Sequence, residues 1–79
     1  MSTLNELEKS AAAYAREAVK FDQQGNKEKA IALYRKASEN LLRLSLKYPE
    51  YGLNKVYAQR AIDYQERIKI LQGFSPANF

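Results

Sequence analysis

Gly25-Asn26-Lys27-Glu28-Lys29-Ala30-Ile31-Ala32-Leu33-Tyr34-Arg35-Lys36-Ala37 holds a helix stop and a helix start within its first three residues. Gly25 suits a left-handed helix cap, because a residue without Cβ adopts that geometry at no steric cost. Asn26 can cap the next helix, its side-chain oxygen taking up a backbone N–H that the first turn leaves unpaired. From there Ala30, Leu33, Ala37, Leu41, Leu44 and Tyr48 recur at steps of three and four. That spacing keeps one side of a helix apolar. Pro49 disfavours helical geometry at Tyr48 and stops the segment, so a helix is predicted from Lys27 to Tyr48.

Upstream, Thr3-Leu4-Asn5-Glu6 has the form of a capping box, with Thr3 as N-cap and Glu6 three residues on. Leu4, Leu7, Ala11, Tyr14, Ala18 and Phe21 then continue the same spacing, which predicts a helix from Thr3 to Gln24. Downstream, Pro49-Glu50-Tyr51-Gly52 reads as a turn. Leu53, Tyr57, Ala61, Tyr64, Ile68 and Leu71 form a third ridge, ended by Gly73, so the third helix is predicted from Leu53 to Gln72. No strand pattern competes. Short connections make successive helices antiparallel neighbours, and the expected fold is all-α, an antiparallel three-helix bundle occupying residues 1–73. Residues 74–79 are not periodic and read as the start of a linker to a further C-terminal region.

Composition narrows the chemistry. At 79 residues the chain can build one small core but no deep enclosed pocket. It has no cysteine and no histidine, which removes the thiolate metal site, the disulfide framework and the commonest general base. No phosphate-binding glycine loop is present, and Ser38 and Ser45 have no histidine to activate them. The chain carries no catalytic constellation, and no cofactor or metal is expected. The net charge of +4 raises the question of nucleic acid, but the basic residues are spread from Lys9 to Lys69. Acids interleave with them: Glu39 stands four before Arg43, and Asp63 four before Arg67, as in solvated helix pairs. A nucleic-acid surface would instead show a clustered stripe. The opening residues lack the basic-then-apolar pattern of a leader, and no apolar run is long enough to span a bilayer. The expectation is a cytoplasmic protein without membrane insertion.

The tyrosines near the ridges, Tyr14, Tyr34, Tyr57 and Tyr64, are expected to pack in the core with solvated hydroxyls. Tyr51 either closes the turn or stacks on a partner, and Phe74 and Phe79 either dock on the bundle end or belong to the linker. Beside the ridges, Ala12, Ala15 and Val19 occupy one flank of the first helix, bordered by Lys9, Arg16 and Lys20. Val56, Arg60, Asp63, Arg67 and Ile70 occupy a flank of the third. A wide apolar arc is expected of any helix that touches two others. The run of Ala11, Ala12, Ala13, Ala15 and Ala18, however, makes the first helix short-sided, leaving room for another backbone to approach. Such a groove suits an extended or proline-containing peptide better than a helix, which needs large knobs and holes.

The Ala30-x-x-Leu33-Tyr34-x-x-Ala37 pattern resembles both the helix-turn-helix of MIT domains (microtubule-interacting and trafficking) and a single tetratricopeptide repeat. The first two helices are therefore tetratricopeptide-like. Tyr64-x-x-Arg67-x-x-x-Leu71 and the Ala11, Ala15, Asp22 run are similar to the third and first helices of MIT domains of ESCRT-pathway, vacuolar-protein-sorting-type AAA ATPases. A tetratricopeptide array would need several repeats. The resemblance covers residues 3–72 and implies a recruitment domain that binds short C-terminal tail motifs of ESCRT-III-like subunits. It implies a hexameric full-length ATPase, brought to membrane-associated ESCRT-III polymers, with the isolated domain monomeric. The family uses two grooves, one between helices 2 and 3 for a partner helix, one between helices 1 and 3 for an extended proline-containing strand. The third-helix position usually filled by the leucine that anchors the helical partner is Gln65 here, which favours the second groove. The candidate peptide-binding residues are Ala12, Ala15, Arg16 and Val19, facing Val56, Gln59, Arg60, Asp63, Arg67 and Ile70. The alanines and Val19 offer shallow apolar pockets; Arg16, Arg60 and Arg67 meet carboxylates or carbonyls of the tail. The composition is compatible with an archaeal version, in which this machinery serves cell division. The alternative readings are a tetratricopeptide-like adaptor fragment and a basic three-helix nucleic-acid-binding module.

Overall fold

The computed structural model describes residues 4–73. The helices run α1, Leu4–Gln23; α2, Lys27–Lys47; and α3, Asn54–Leu71. No strand occurs among the described residues. The three-helix, all-α expectation is met; α2 begins at Lys27 as expected, and Tyr48, Leu53 and Gln72, expected inside their helices, are cap residues. The Thr3 cap, the 74–79 linker and the two terminal phenylalanines lie outside the described residues.

The turn between α1 and α2 is built as its residues dictate. Gly25 has φ 78°. Its N–H donates to the Asp22 carbonyl at 3.0 Å, and the Asn26 N–H to the Phe21 carbonyl at 2.9 Å. This is the paired closure that glycine permits at a helix C-terminus. Asn26 also starts α2, its side-chain oxygen accepting from the Lys29 N–H at 3.3 Å. One residue thus serves two helices, and the connection is short enough to hold them antiparallel.

The α2–α3 connection relies on a residue that the sequence patterns do not single out. The Asn54 side-chain amide donates to the Ser45 carbonyl and to the Tyr48 carbonyl. It so occupies two of the acceptors that the end of α2 leaves open. Tyr51 stacks its ring on Tyr57, 6.0 Å away at 22°, and so closes the loop while itself staying exposed. Leu53, expected on the α3 ridge, is 44% exposed. It is the N-cap residue with non-helical backbone, so it does not share the direction of the ridge that follows.

Two core clusters divide the bundle along its length. Leu7, Ala11, Leu41, Leu44, Tyr57 and Ala61 fill the end nearest the α2–α3 loop. Ala18, Ala30, Tyr34 and Ile68 fill the other. Tyr64 packs against both. This pairing sets α1 parallel to α3, with α2 antiparallel to each. Ser38 is buried and donates to the Arg35 carbonyl at 3.1 Å, so its hydroxyl is satisfied within its own helix. The ridge of α2 centres on Tyr34 rather than Leu33, which is only half-buried.

Helix α2 touches both of its neighbours, but among the described residues no Cα of α1 comes within 8 Å of a Cα of α3. The cause lies in the α2 side chains. Leu41 and Tyr34 fill the centre, and the alanine-rich wall of α1 has nothing long enough to reach across to α3 at mid-length. The opposite flank of α1 is better covered. Lys36 Nζ lies 5.6 Å from the centre of the Tyr14 ring, and Lys29 Nζ lies 5.1 Å from that of Phe21. Lysine stems so shield those aromatic rings on the α1–α2 side.

Candidate functional site: the open seam between α1 and α3

Two clefts follow this seam. The first, about 280 Å³, has a floor of Ala11, Leu41, Tyr57 and Tyr64 and walls formed by Ala12, Ala15 and Arg60. Glu8 and Lys9 also line it. The second, about 500 Å³, continues along α1 through Arg16, Val19, Lys20 and Gln23. Ala15 and Tyr64 line both, so the two clefts join at that point.

Asp22 stands where α1 ends. Arg67 of α3 meets it with two hydrogen bonds, Nε to Oδ2 at 2.7 Å and Nη2 to Oδ1 at 2.8 Å. The Tyr34 hydroxyl of α2 donates to the same carboxylate at 2.8 Å. All three helices are tied at one carboxylate. The Arg67 guanidinium holds the Asp22 carboxyl below its ordinary value of 3.8, its hydrogen bond being the largest cause. Burial first, and the bond to Asp22 second, push the Tyr34 hydroxyl up to about 12. Asp22 raises Arg67 in turn. The expected Asp63–Arg67 helix pair does not form. Arg67 reaches instead to Asp22, which is mostly buried, while exposed Asp63 accepts from the Gln59 amide at 3.0 Å. An exposed pair four residues apart contributes little. A bidentate bond to a carboxylate that also accepts a tyrosine proton contributes more.

Asp22→Asn keeps an acceptor for Tyr34 but loses the ion pair. With the discount that half-exposed Arg67 requires, it lowers stability by about 1 kcal/mol at neutral pH. Because the folded carboxyl titrates below the unfolded one, this contribution is present above the ordinary value of 3.8 and is lost as pH falls through the lowered folded value. Thermal melts of the two proteins therefore converge in acid. A gap that persists unchanged there contradicts the assignment.

The seam brings together Ala12, Ala15, Arg16, Val19 and Arg60 from the sequence-derived set. It does not bring the whole set together. Val56 and Ile70 are exposed at 41% and 55%, Gln59 and Asp63 bond to one another, and none of the four lines either cleft. Arg67 closes the end of the seam in its bond with Asp22. Outside the sequence-derived set the clefts also take in Glu8, Lys9, Leu41, Tyr57 and Tyr64, and Lys20 and Gln23; of these only Lys9 and Lys20 are expected near the α1 flank. Glu8 had a signal, standing four residues before Ala12 and seven before Ala15 on one helix face. The two tyrosines lie on the α3 ridge and were assigned wholly to the core. The expectation that Tyr57 keeps a solvated hydroxyl fails. Tyr57 is 4% exposed, and its hydroxyl is buried with no hydrogen-bond partner among the described residues. Burial, and the Glu8 carboxylate nearby, raise its proton affinity.

A separate cleft of about 370 Å³ lies between α2 and α3, with Ser38, Leu42, Gln65 and Ile68 among its lining residues. Among the described residues there is no group of three or more acidic side chains able to hold a metal ion. No helix there is long and apolar enough to cross a membrane.

Among the described residues the bundle presents surface grooves on both sides of α3. The family model for the MIT (microtubule interacting and transport) domain matches residues 8–73, and the chain belongs to that family. MIT domains are protein-interaction domains that bind peptide motifs of partner proteins. No curated protein matches the chain.

Proposed function

We propose that this domain binds short, proline-containing C-terminal tail motifs of ESCRT-III-like subunits in the seam between α1 and α3, and so recruits an AAA ATPase to the polymer those subunits form. The observation that carries this reading is the open seam itself: two helices more than 8 Å apart at every Cα pair, with an alanine wall on α1 and tyrosines on the floor. An extended chain needs a narrow trench with room for its backbone, and this seam provides it. The α2–α3 cleft presents Gln65 where a helical ligand would need an apolar anchor. Lys9, Arg16 and Arg60 line the trench, suiting tails that carry carboxylates beside their prolines. An interface of this kind buries less than about 1,200 Å², which corresponds to an affinity in the micromolar range. Several copies in a hexamer would raise the effective strength. The composition remains compatible with an archaeal cell-division setting.

Titration of the isotope-labelled 79-residue chain with synthetic ESCRT-III-like tail peptides tests the reading by chemical-shift mapping. The expected shifts fall at Ala12, Ala15, Val19, Arg60 and Tyr64. Shifts confined to the seam around Leu42 and Gln65, or no shifts with any tail, overturn it.

A further inference from the structure

We infer that the Tyr57 hydroxyl is the main-chain recognition donor of the first cleft: buried without a hydrogen bond of ordinary geometry in the free domain, it donates to a backbone carbonyl of the bound strand. This rests on the peptide-binding reading above and adds the atom that reads the ligand's backbone. Three observations converge on it. Tyr57 is 4% exposed; its hydroxyl has no hydrogen-bond partner among the described residues; and Tyr57 lines the cleft beside Ala12 and Ala15. A buried hydroxyl without a partner costs stability, and such groups in native structures call for an explanation. The other buried tyrosine of the core, Tyr34, has its partner in Asp22, so the fold is capable of satisfying a phenol. At Tyr57 the Glu8 carboxylate and Tyr51 come near, but neither completes a hydrogen bond of ordinary geometry.

The same geometry accounts for why proline suits this trench. On the α1 side the cleft is lined by Ala12 and Ala15 in its wall and Ala11 in its floor, whose side chains accept no hydrogen bond. A strand pressed against those alanines would bury backbone N–H groups that the alanine side chains cannot receive. Proline has no N–H, so it can lie there without that loss. Its neighbours' carbonyls still need donors, and Tyr57, which lines the cleft, carries a phenolic O–H just beneath the surface. Glu8 and Lys9, the long side chains lining the same cleft, can change rotamer to admit the carbonyl.

Tyr57→Phe removes only the hydroxyl, and the proposal assigns opposite signs to its two effects. Melting of the free domain is unchanged or rises, because an unsatisfied polar atom is lost. Affinity for a synthetic proline-containing tail peptide, measured by calorimetry, weakens about fivefold, as expected for one lost hydrogen bond. A fall in the melting temperature of the free variant by several degrees shows the hydroxyl to be a structural donor and overturns the inference. Wild-type affinity in Tyr57→Phe also overturns it, while binding that Ala15→Asp abolishes leaves the groove reading intact. If no tail peptide binds the wild-type chain, the groove reading and this inference fall together.

Discussion

Leu44→Ala lowers the stability of the domain by about 2–5 kcal/mol. Among the described residues Leu44 is the largest side chain that is wholly enclosed, at 0% exposure. It sits in the cluster with Leu7, Leu41, Tyr57 and Ala61, where α2 meets both other helices. Its loss removes the transfer free energy of the deleted atoms and leaves a cavity that rigid helices can close only in part. A chain of 79 residues has a total of about 4–12 kcal/mol at the usual stability per residue. One such deletion therefore takes a large share of it. For a domain of this size each kilocalorie shifts the melting temperature by about 4–8 °C, so the expected fall is at least about 8 °C. A loss below about 1 kcal/mol in denaturant melts would show that the core is not organised around this residue.

The parts of the fold legible in the sequence are those decided within a few residues. Gly25 and Asn26 specify their turn because a left-handed cap and a side-chain N-cap are local geometry, and both are present. Pro49 acts on the residue before it, and α2 ends with Tyr48 as its cap. The ridges were legible because spacing alone places residues on one side of a helix. Where a residue leaves the helical frame, the same rule fails, as Leu53 does at its N-cap position.

What spacing does not contain is the partner of each side chain across the bundle. Arg67 has Asp63 four residues away in sequence, but its guanidinium bonds Asp22, from which it is separated by 45 positions. Nothing in a helical wheel weighs those two choices, because the second depends on α2 placing Tyr34 on the same carboxylate. The candidate groove shows the same division. Ala12, Ala15, Val19 and Arg60 were legible as flanking positions. Val56, Gln59, Asp63 and Ile70 share their flank of α3 but are turned beyond the rim, since α1 stands too far off to meet them. Tyr57 was legible as a core residue; its unpaired hydroxyl is a property of what surrounds it, and no pattern in one sequence encodes that.

Ala15→Asp reduces binding of a proline-containing tail peptide by at least about 30-fold, beyond detection for a micromolar ligand, while the fold persists. Ala15 is the one α1 residue that lines both clefts, so its Cβ stands where the two join. It is half-buried, and a longer side chain there can point into the seam rather than into the core. The helix loses less than about 1 kcal/mol from the poorer propensity of aspartate, and the melting temperature moves little. The new carboxylate either stays hydrated, holding water where an apolar ring would lie, or pairs with Arg60 across the cleft. In the first case a ligand must strip an unpaired charge of its water, which costs several kilocalories; in the second the trench is bridged shut. Leu42→Asp, placed in the separate α2–α3 cleft, serves as the control and leaves binding at the wild-type level. The pair of variants separates the two seams: affinity kept in Ala15→Asp and lost in Leu42→Asp would move the ligand to the other face of α3, and with it the role of every residue assigned to the trench.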